Sequence, residues 1–269
     1  MPRTAAGART VAGARSAAGY RQAVVARNAL QLCQAAGLTL RFWLRASDIT
    51  GVTDATRFGT WTGSDGGLNG IQATGSKQPT YHASGGANNR AYVTFDEPSA
   101  TFMAASANYT STAAWTLFFV WRAPTVADEA VKYAGTLLGG STGALVAGGT
   151  SFGTKTGFFS NLAGSNTTPL AQQIVAINTW YITVVRHTGG VYRTSLNGAS
   201  QTCRTDTARS ATTFGIGGRG SADQNWDGDL AEVGLIASSL NDVQHDELVR
   251  QLLNYYNING GGTIVRTAA

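Results

Sequence analysis

The tightest constraint on this chain is a two-residue hydrophobic alternation that recurs between glycine-bearing turns. Leu38, Leu40, Phe42 and Leu44 alternate with Thr39, Arg41, Trp43 and Arg45, the period of a strand with two unlike faces. Further strand-like runs are Ala91 to Phe95, Trp115 to Arg122, Trp180 to His187, Val191 to Leu196, Thr213 to Ile216 and Leu230 to Ile236. Thr188-Gly189-Gly190 and Asn197-Gly198 supply residues that tolerate positive φ between three of these runs, which predicts a three-strand meander. One segment has helical periodicity, Asn241 to Asn257. Ser239 or Asn241 can cap it, Val243, Leu248, Leu252 and Tyr255 can line its buried side, and the glycines from Gly260 stop it. Composition agrees with a β-rich globule: 34 of 269 residues are Gly and only 13% are charged, which excludes charged helical arrays and highly charged disordered chains. A chain of 269 residues buries a core without covalent staples. Cys33 and Cys203 have no metal-ligand or redox spacing and read as two buried thiols.

The net charge of +5 is unevenly placed. Residues 1 to 45 hold seven Arg and no acid, whereas residues 46 to 269 hold 13 bases and 15 acids. Five of those Arg, namely Arg3, Arg9, Arg15, Arg21 and Arg27, recur every six residues through PRTAAG, ARTVAG, ARSAAG, YRQAVV and ARNALQ. A six-residue step turns a helix by about 240° and scatters the Arg around its axis, whereas an extended chain keeps them on one side. The repeat therefore predicts an extended Arg-rich arm over residues 1 to 34, followed by a body over 35 to 258 and a tail over 259 to 269. Its Ala and Gly carry too little apolar surface to fold alone. Arg interrupts every apolar stretch at this end, so no secretory signal or membrane span is expected, and synthesis in the cytoplasm is. Acidic protein surface and nucleic acid are both candidate partners of the arm. Single-stranded nucleic acid is disfavoured because Tyr20 is the only aromatic residue among these Arg, and DNA is not expected.

Aromatic-rich antiparallel strands, irregular Gly/Ser/Asn loops and one late helix imply an all-β, two-sheet antiparallel sandwich. On particular motifs the sequence resembles the concanavalin A-like lectin/glucanase superfamily, in its laminin G-like jelly-roll branch, of the kind carried by bacteriophage virion proteins. The motifs are Trp61 with Asp65-Gly66 and Asn69-Gly70, then Gln78-Pro79-Thr80-Tyr81 and Val93-Thr94-Phe95-Asp96. Trp180-Tyr181, Leu196-Asn197-Gly198, Phe214-Gly215-Ile216-Gly217 and Asp227-Gly228-Asp229-Leu230-Ala231-Glu232-Val233 complete the order before the terminal helix. The resemblance covers about Leu38 to Asn257 and departs at Glu97, where such domains commonly carry Gly. It implies a jelly roll with one short C-terminal helix, and a lectin-like surface.

Three motifs bear on chemistry. Gly215-Ile216-Gly217-Gly218-Arg219-Gly220 matches a dinucleotide fingerprint, but no helix follows it to face a pyrophosphate. Gly139-Gly140-Ser141-Thr142-Gly143 matches a nucleophile elbow and likewise lacks its helix. Asp223, Asn225 and Asp227 stand at positions 1, 3 and 5 of a calcium-loop pattern whose twelfth position is Gly234 rather than Glu. Calcium is thus the one cofactor the sequence admits. The sandwich hydrolases resembled here use a Glu-x-Asp-x-Glu strand with its acids on one face. Asp227, Asp229 and Glu232 are the nearest approach to it, and strict alternation turns Glu232 away from Asp229. A chain without catalytic activity is therefore expected.

Stacking of Trp and Tyr on sugar rings, with Asn fixing hydroxyls, makes Trp61, Asn69, Tyr81, Asn225 and Trp226 the candidate glycan-binding residues, since each sits in a loop-like segment. Trp43, Trp115, Trp121 and Trp180 lie in or beside strands and are expected in the core. Together these features predict a homo-oligomeric structural protein of a phage virion, a capsid decoration or tail-associated component, fastened to other virion proteins by the arm and displaying the jelly roll to cell-surface glycan. The alternative is a free carbohydrate-binding module for bacterial or algal polysaccharide.

Overall fold

The computed structural model describes residues 28–96, 98–105, 114–122, 178–189, 191–205, 215–218 and 226–258, together with residue 176 and the short strands 138–139, 145–147, 151–152, 155–156, 158–162 and 172–173. In chain order the elements open with α1 (Ala29–Ala36), β1 (Leu40–Arg45), β2 (Thr56–Arg57), β3 (Thr60–Trp61), β4 (Gly70–Ile71), β5 (Thr80–His82), β6 (Tyr92–Phe95), β7 (Met103–Ala105) and β8 (Ala114–Arg122). Short strands follow: β9 (Leu138–Gly139), β10 (Leu145–Ala147), β11 (Ser151–Phe152), β12 (Lys155–Thr156), β13 (Phe158–Leu162) and β14 (Gln172–Gln173). The chain closes with β15 (Tyr181–Thr188), β16 (Val191–Leu196), β17 (Ala199–Thr205), β18 (Gly215–Ile216), β19 (Gly228–Ile236) and α2 (Asp242–Tyr256).

A nine-stranded sheet runs β17-β16-β15-β8-β19-β6-β5-β2, with β1 also paired to β19, and a five-stranded sheet runs β3-β4-β7-β18-β9. The fold is an all-β antiparallel sandwich, as expected. One apolar cluster, including Phe42, Leu44, Trp61, Phe95, Phe119 and Trp226, draws on strands of both sheets. A second, including Trp43, Phe118, Val120, Leu248 and Tyr256, fills the opposite face of the large sheet beneath the helices. β8 and β19 are therefore buried on both faces, which is why Trp115-Thr116-Leu117-Phe118-Phe119-Val120-Trp121 is almost continuously apolar instead of alternating. The expected meander is present as β15-β16-β17. Asn197 and Gly198 turn it with φ of 48° and 85°, the paired positive angles that a two-residue hairpin demands.

Two bulges change which face side chains occupy. In β1, Leu40 pairs with Ile236 and Phe42 with Leu235, so Arg41 is an extra residue. Leu38 and Leu40 consequently pack on the helix-side cluster with Trp43, while Phe42 and Leu44 enter the cluster between the sheets. This corrects the single face assigned to all four leucine and phenylalanine positions. In β19, Leu230 opposes Trp121 and Glu232 opposes Val120, leaving Ala231 extra. Glu232 then lies on the helix-bearing face, where its two carboxylate oxygens accept from Trp43 Nε1 at 2.6 Å and Tyr256 Oη at 2.8 Å. Burial raises the Glu232 pKa, opposed by those two donors and by Arg45.

The extended form expected over residues 1 to 34 is corrected at its end. Arg3, Arg9, Arg15, Arg21 and Arg27 lie outside the described residues, but Ala29–Ala36 is helical, and the boundary drawn at residue 34 falls inside it. Asn28 and Gln31 close a reciprocal capping box at 2.9 and 3.0 Å, and Gly37 ends the helix at φ 64°. Ala29, Leu32 and Cys33, at i, i+3 and i+4, are buried in the helix-side cluster, and burial pushes the Cys33 thiol up to about 11. The side chain of Cys203 lies outside the described residues.

α2 takes the expected place, capped by Asn241 with Gln244 completing the box. Its buried stripe is His245, Leu248, Val249, Leu252 and Tyr256, whereas Val243 is 75% exposed. Val243 stands two residues, about 200°, from His245, so it cannot share that stripe. His245 Nε2 lies 2.7 Å from Ser195 Oγ, and Nδ1 lies 3.0 Å from the Asp246 carboxylate. A carboxylate only accepts, so Nδ1 carries the proton and Nε2 accepts from the Ser195 hydroxyl. Arg186 donates to the Leu240 carbonyl and to Asp242 beside this network.

Two outcomes test this packing. A Cβ on Gly234 would sit 2.3 Å from Phe118 Cζ in a filled core, so Gly234→Ala should cost about 1–3 kcal/mol and lower Tm by roughly 2–10 °C, measured by circular dichroism. Burial lowers the His245 pKa below its ordinary 6.5, with Asp246 opposing and Arg186 reinforcing the shift. The unfolded chain therefore takes the proton first. The stability from the neutral ring is full above about pH 6.5 and is lost as pH falls below it. Unfolding titrations between pH 7.5 and 5 should show a steeper loss for the parent chain than for His245→Gln.

Candidate functional site

Of the five glycan-binding residues expected from the sequence, the three aromatic ones do not form a surface. Trp61, Tyr81 and Trp226 are buried in the inter-sheet core at 0%, 7% and 3% exposure. Phe58 meets Trp61 and Tyr81 edge-on, and Phe95 and Trp121 close on Trp226. The physical reason is that these rings belong to short strands or strand entries whose inward positions fill the space between the two sheets. Asn69 Oδ1 accepts from the Gly63 backbone N–H at 2.8 Å and ties a loop together. Asn225 and Asp223 lie outside the described residues, so of the three calcium candidates only Asp227, partly exposed, is described. Among the described residues no group of three His, Cys, Asp or Glu side chains is arranged to hold a metal ion. No helix among them is long and apolar enough to cross a membrane. Trp43, Trp115 and Trp121 are core residues as expected, while Trp180 is partly exposed.

Trp180 belongs instead to a row of side chains that crosses five adjacent strands on the helix-bearing face of the large sheet. Strand register places them. In β5 and β6, His82 pairs with Tyr92, and their rings stack at 4.5 Å with 15° between planes. In β6 and β19, Thr94 pairs with Asp229, and its hydroxyl donates to Asp229 Oδ1 at 2.7 Å. In β19 and β8, Asp229 pairs with Arg122, whose Nε and Nη2 donate to Oδ2 at 2.8 and 2.5 Å. β15 pairs with β8 with Tyr181 opposite Trp121, and Trp180, one residue further out, comes up beside Arg122. The Arg122 guanidinium lies 5.0 Å from the Trp180 ring centroid and 5.4 Å from that of Tyr92, which meet edge to face at 5.9 Å.

The hub of the row is a carboxylate with both oxygens bonded. Asp229 is 4% exposed, yet His82, Tyr92, Thr94, Arg122 and Trp180 around it are partly exposed. Direct cross-strand pairing holds His82, Tyr92, Thr94, Asp229 and Arg122, and Trp180 is set against them from the entry to β15. Burial and the Asp229 charge raise the Tyr92 pKa, against the opposing effect of Arg122. Chemically, the row offers aromatic faces beside hydrogen-bonding donors and acceptors, the combination that binds the C–H faces and hydroxyls of a sugar. The sequence carried part of this signal: Tyr92 and Thr94 alternate with the buried Val93 and Phe95, and Arg122 and Asp229 are charges at otherwise apolar strand ends. What it concealed was register, without which Trp180 and Arg122 cannot be placed together.

Ser195, His245 and Asp246 have the spacing of a nucleophile, base and orienting acid. Ser195 and His245 are only 3% and 2% exposed, so their network ties α2 to the sheet rather than facing a substrate.

No protein-family model and no curated protein sequence matches the chain. Solved structures do. Domain 4 of AbnA, a GH43 extracellular arabinanase from Geobacillus stearothermophilus, in complex with arabinotriose, is 11% identical, with a TM-score of 0.57 over 79% of this chain and 98% of that one. What is shared is the fold. An arabinofuranosidase complexed with arabinofuranosyl-alpha-1,2-xylobiose is 12% identical, with a TM-score of 0.54 over 82% of this chain and 64% of that one. A mutant Trypanosoma rangeli sialidase displaying trans-sialidase activity is 12% identical, with a TM-score of 0.52 over 84% of this chain, and the match spans 34% of the sialidase. These likenesses fit the lectin-like β-sandwich that the resemblance implies, and they correct the expectation of a non-catalytic chain. That expectation rested on one missing acidic triplet, and solved chains with this fold come from glycoside hydrolases. The bulge in β19 also removes its supporting detail, because Glu232 shares a face with Asp229 after all.

The hub is testable by a double-mutant cycle. Asp229→Asn and Arg122→Gln should each destabilise the fold by about 2 kcal/mol, and the double variant by less than the sum, in denaturant titrations.

Proposed function

We propose that this chain is a carbohydrate-binding β-sandwich that recognises polysaccharide through the Tyr92–Arg122–Trp180 row. The observation that carries this reading is a pair of partly exposed aromatic rings held beside a fixed Arg–Asp pair on a rigid sheet. Sugar rings present apolar C–H faces that stack on Trp and Tyr, and hydroxyls that need donors and acceptors at the rim of the same surface. Tyr92 is held by strand register and Trp180 by its contacts with Tyr92 and Arg122, so both rings lose little freedom on binding, which leaves more of the contact energy as affinity. The likeness to a domain solved with arabinotriose, matched over nearly its whole length, supports the reading. The virion role expected from the sequence rests on the Arg-rich arm, which lies outside the described residues, and the reported neighbours favour glycan recognition over it.

A glycan array followed by calorimetric titration tests the proposal. The expected result is binding to a defined oligosaccharide in the micromolar range, at least tenfold weaker in Trp180→Ala with Tm changed by less than about 3 °C. Reducing-end release is followed in the same mixtures, since the fold is shared with glycoside hydrolases. Absence of binding to every glycan, or undiminished binding by Trp180→Ala, overturns the assignment.

A further inference from the structure

We infer that this site, on the reading that it binds glycan, selects neutral oligosaccharides over those carrying carboxylates or sulfates. Recognition of an anionic sugar needs a cation with unspent charge and donors. Arg122 is the one Arg or Lys in the row, and its Nε and Nη2 are both directed to Asp229. The Asp229 side chain is 5% exposed and that of Arg122 22%, so water screens this pair only weakly and the positive charge is compensated where a ligand would sit. The guanidinium also lies against the Tyr92 and Trp180 rings, so part of its surface is covered.

The surroundings add negative charge. Asp54 places a second carboxylate at the His82 end, its Oδ1 accepting from the Ala83 backbone N–H at 2.7 Å, and its charge adds the least to the rise in the Tyr92 pKa, after burial and Asp229. Arg90, the next cation along the chain from His82, is turned elsewhere: its Nε donates to the Tyr255 carbonyl at 2.9 Å, and its guanidinium lies 3.5 Å from the Tyr255 ring centroid. Among the described residues, the row and its margin carry one Arg, Arg122, and two carboxylates, Asp229 and Asp54. A uronate or sulfate placed there meets uncompensated carboxylate repulsion. A neutral sugar needs only the two ring faces and the polar rim that Arg122 and Tyr92, hydrogen-bonded to each other, present beside them.

Length-matched oligosaccharides separate the outcomes. Neutral arabino- and xylo-oligosaccharides and oligogalacturonides are titrated into the full chain at 20 and 500 mM NaCl, pH 8. The expected result is neutral binding that changes less than twofold with salt, with oligogalacturonides at least tenfold weaker. Asp54→Asn, a substitution outside the Arg122–Asp229 pair, should narrow that preference while leaving neutral binding intact. Preferential binding of oligogalacturonides that falls steeply with salt overturns the selectivity but leaves glycan recognition standing. Failure of both ligand classes, and of a wider glycan array, overturns both.

Discussion

Burial of the β8–β19 pair on both faces is the constraint from which the other layers follow. A sheet with one wet face needs only one cover, whereas this one requires a second sheet on one side and helices on the other. Phe119 and Val233 point between the sheets, and Phe118 and Ala231 point beneath the helices, so the same two strands nucleate both cores. Gly234 is the concession this arrangement makes. Directly opposite Phe118, it leaves the space that the aromatic ring fills.

The same ladder builds the candidate site, because Asp229 lies where β19 leaves the helix-covered region. Its neighbours on both sides are directly opposed residues, Thr94 and Arg122, and each saturates one carboxylate oxygen. A buried carboxylate is costly without such partners. Its presence fixes Arg122, and Arg122 in turn lies against the rings of Tyr92 and Trp180. Fold and candidate site are thus coupled through one charge pair.

What was legible in the sequence was whatever depends on neighbours along the chain. The Asn197-Gly198 turn and the capped C-terminal helix follow from local spacing, and each is present; the alternation located β1 but not the faces of its residues. The two bulges were not legible, since an extra residue in one strand has meaning only against its partner. Arg41 and Ala231 look like ordinary strand positions, yet they move Leu40 and Glu232 to the opposite face. The site was misplaced for a related reason. Trp61, Tyr81 and Trp226 sit among Gly, Asn and Asp, which reads as loop, but tertiary packing draws those rings inward. Trp180 sits at a strand entry, which reads as core, but it lies at the sheet's end, where the cover runs out. The helix at Ala29–Ala36 was hidden by the six-residue Arg repeat, whose period reflects the arm and not the Asn28–Gln31 capping box that interrupts it.

A site on a sheet face differs in kind from one made of loops. Its side chains start from strands about 4.8 Å apart, so strand register and not loop conformation decides which of them can meet. The row from His82 to Trp180 starts from five strands, on the order of 19 Å across at the backbone, but its rings converge, with His82 and Tyr92 centroids 4.5 Å apart and Tyr92 and Trp180 centroids 5.9 Å apart. Enclosure would require deep desolvation of the Arg122–Asp229 pair. A shallow surface leaves Arg122 partly hydrated, so the hub can hold the rings in place without the full cost of a buried ion pair.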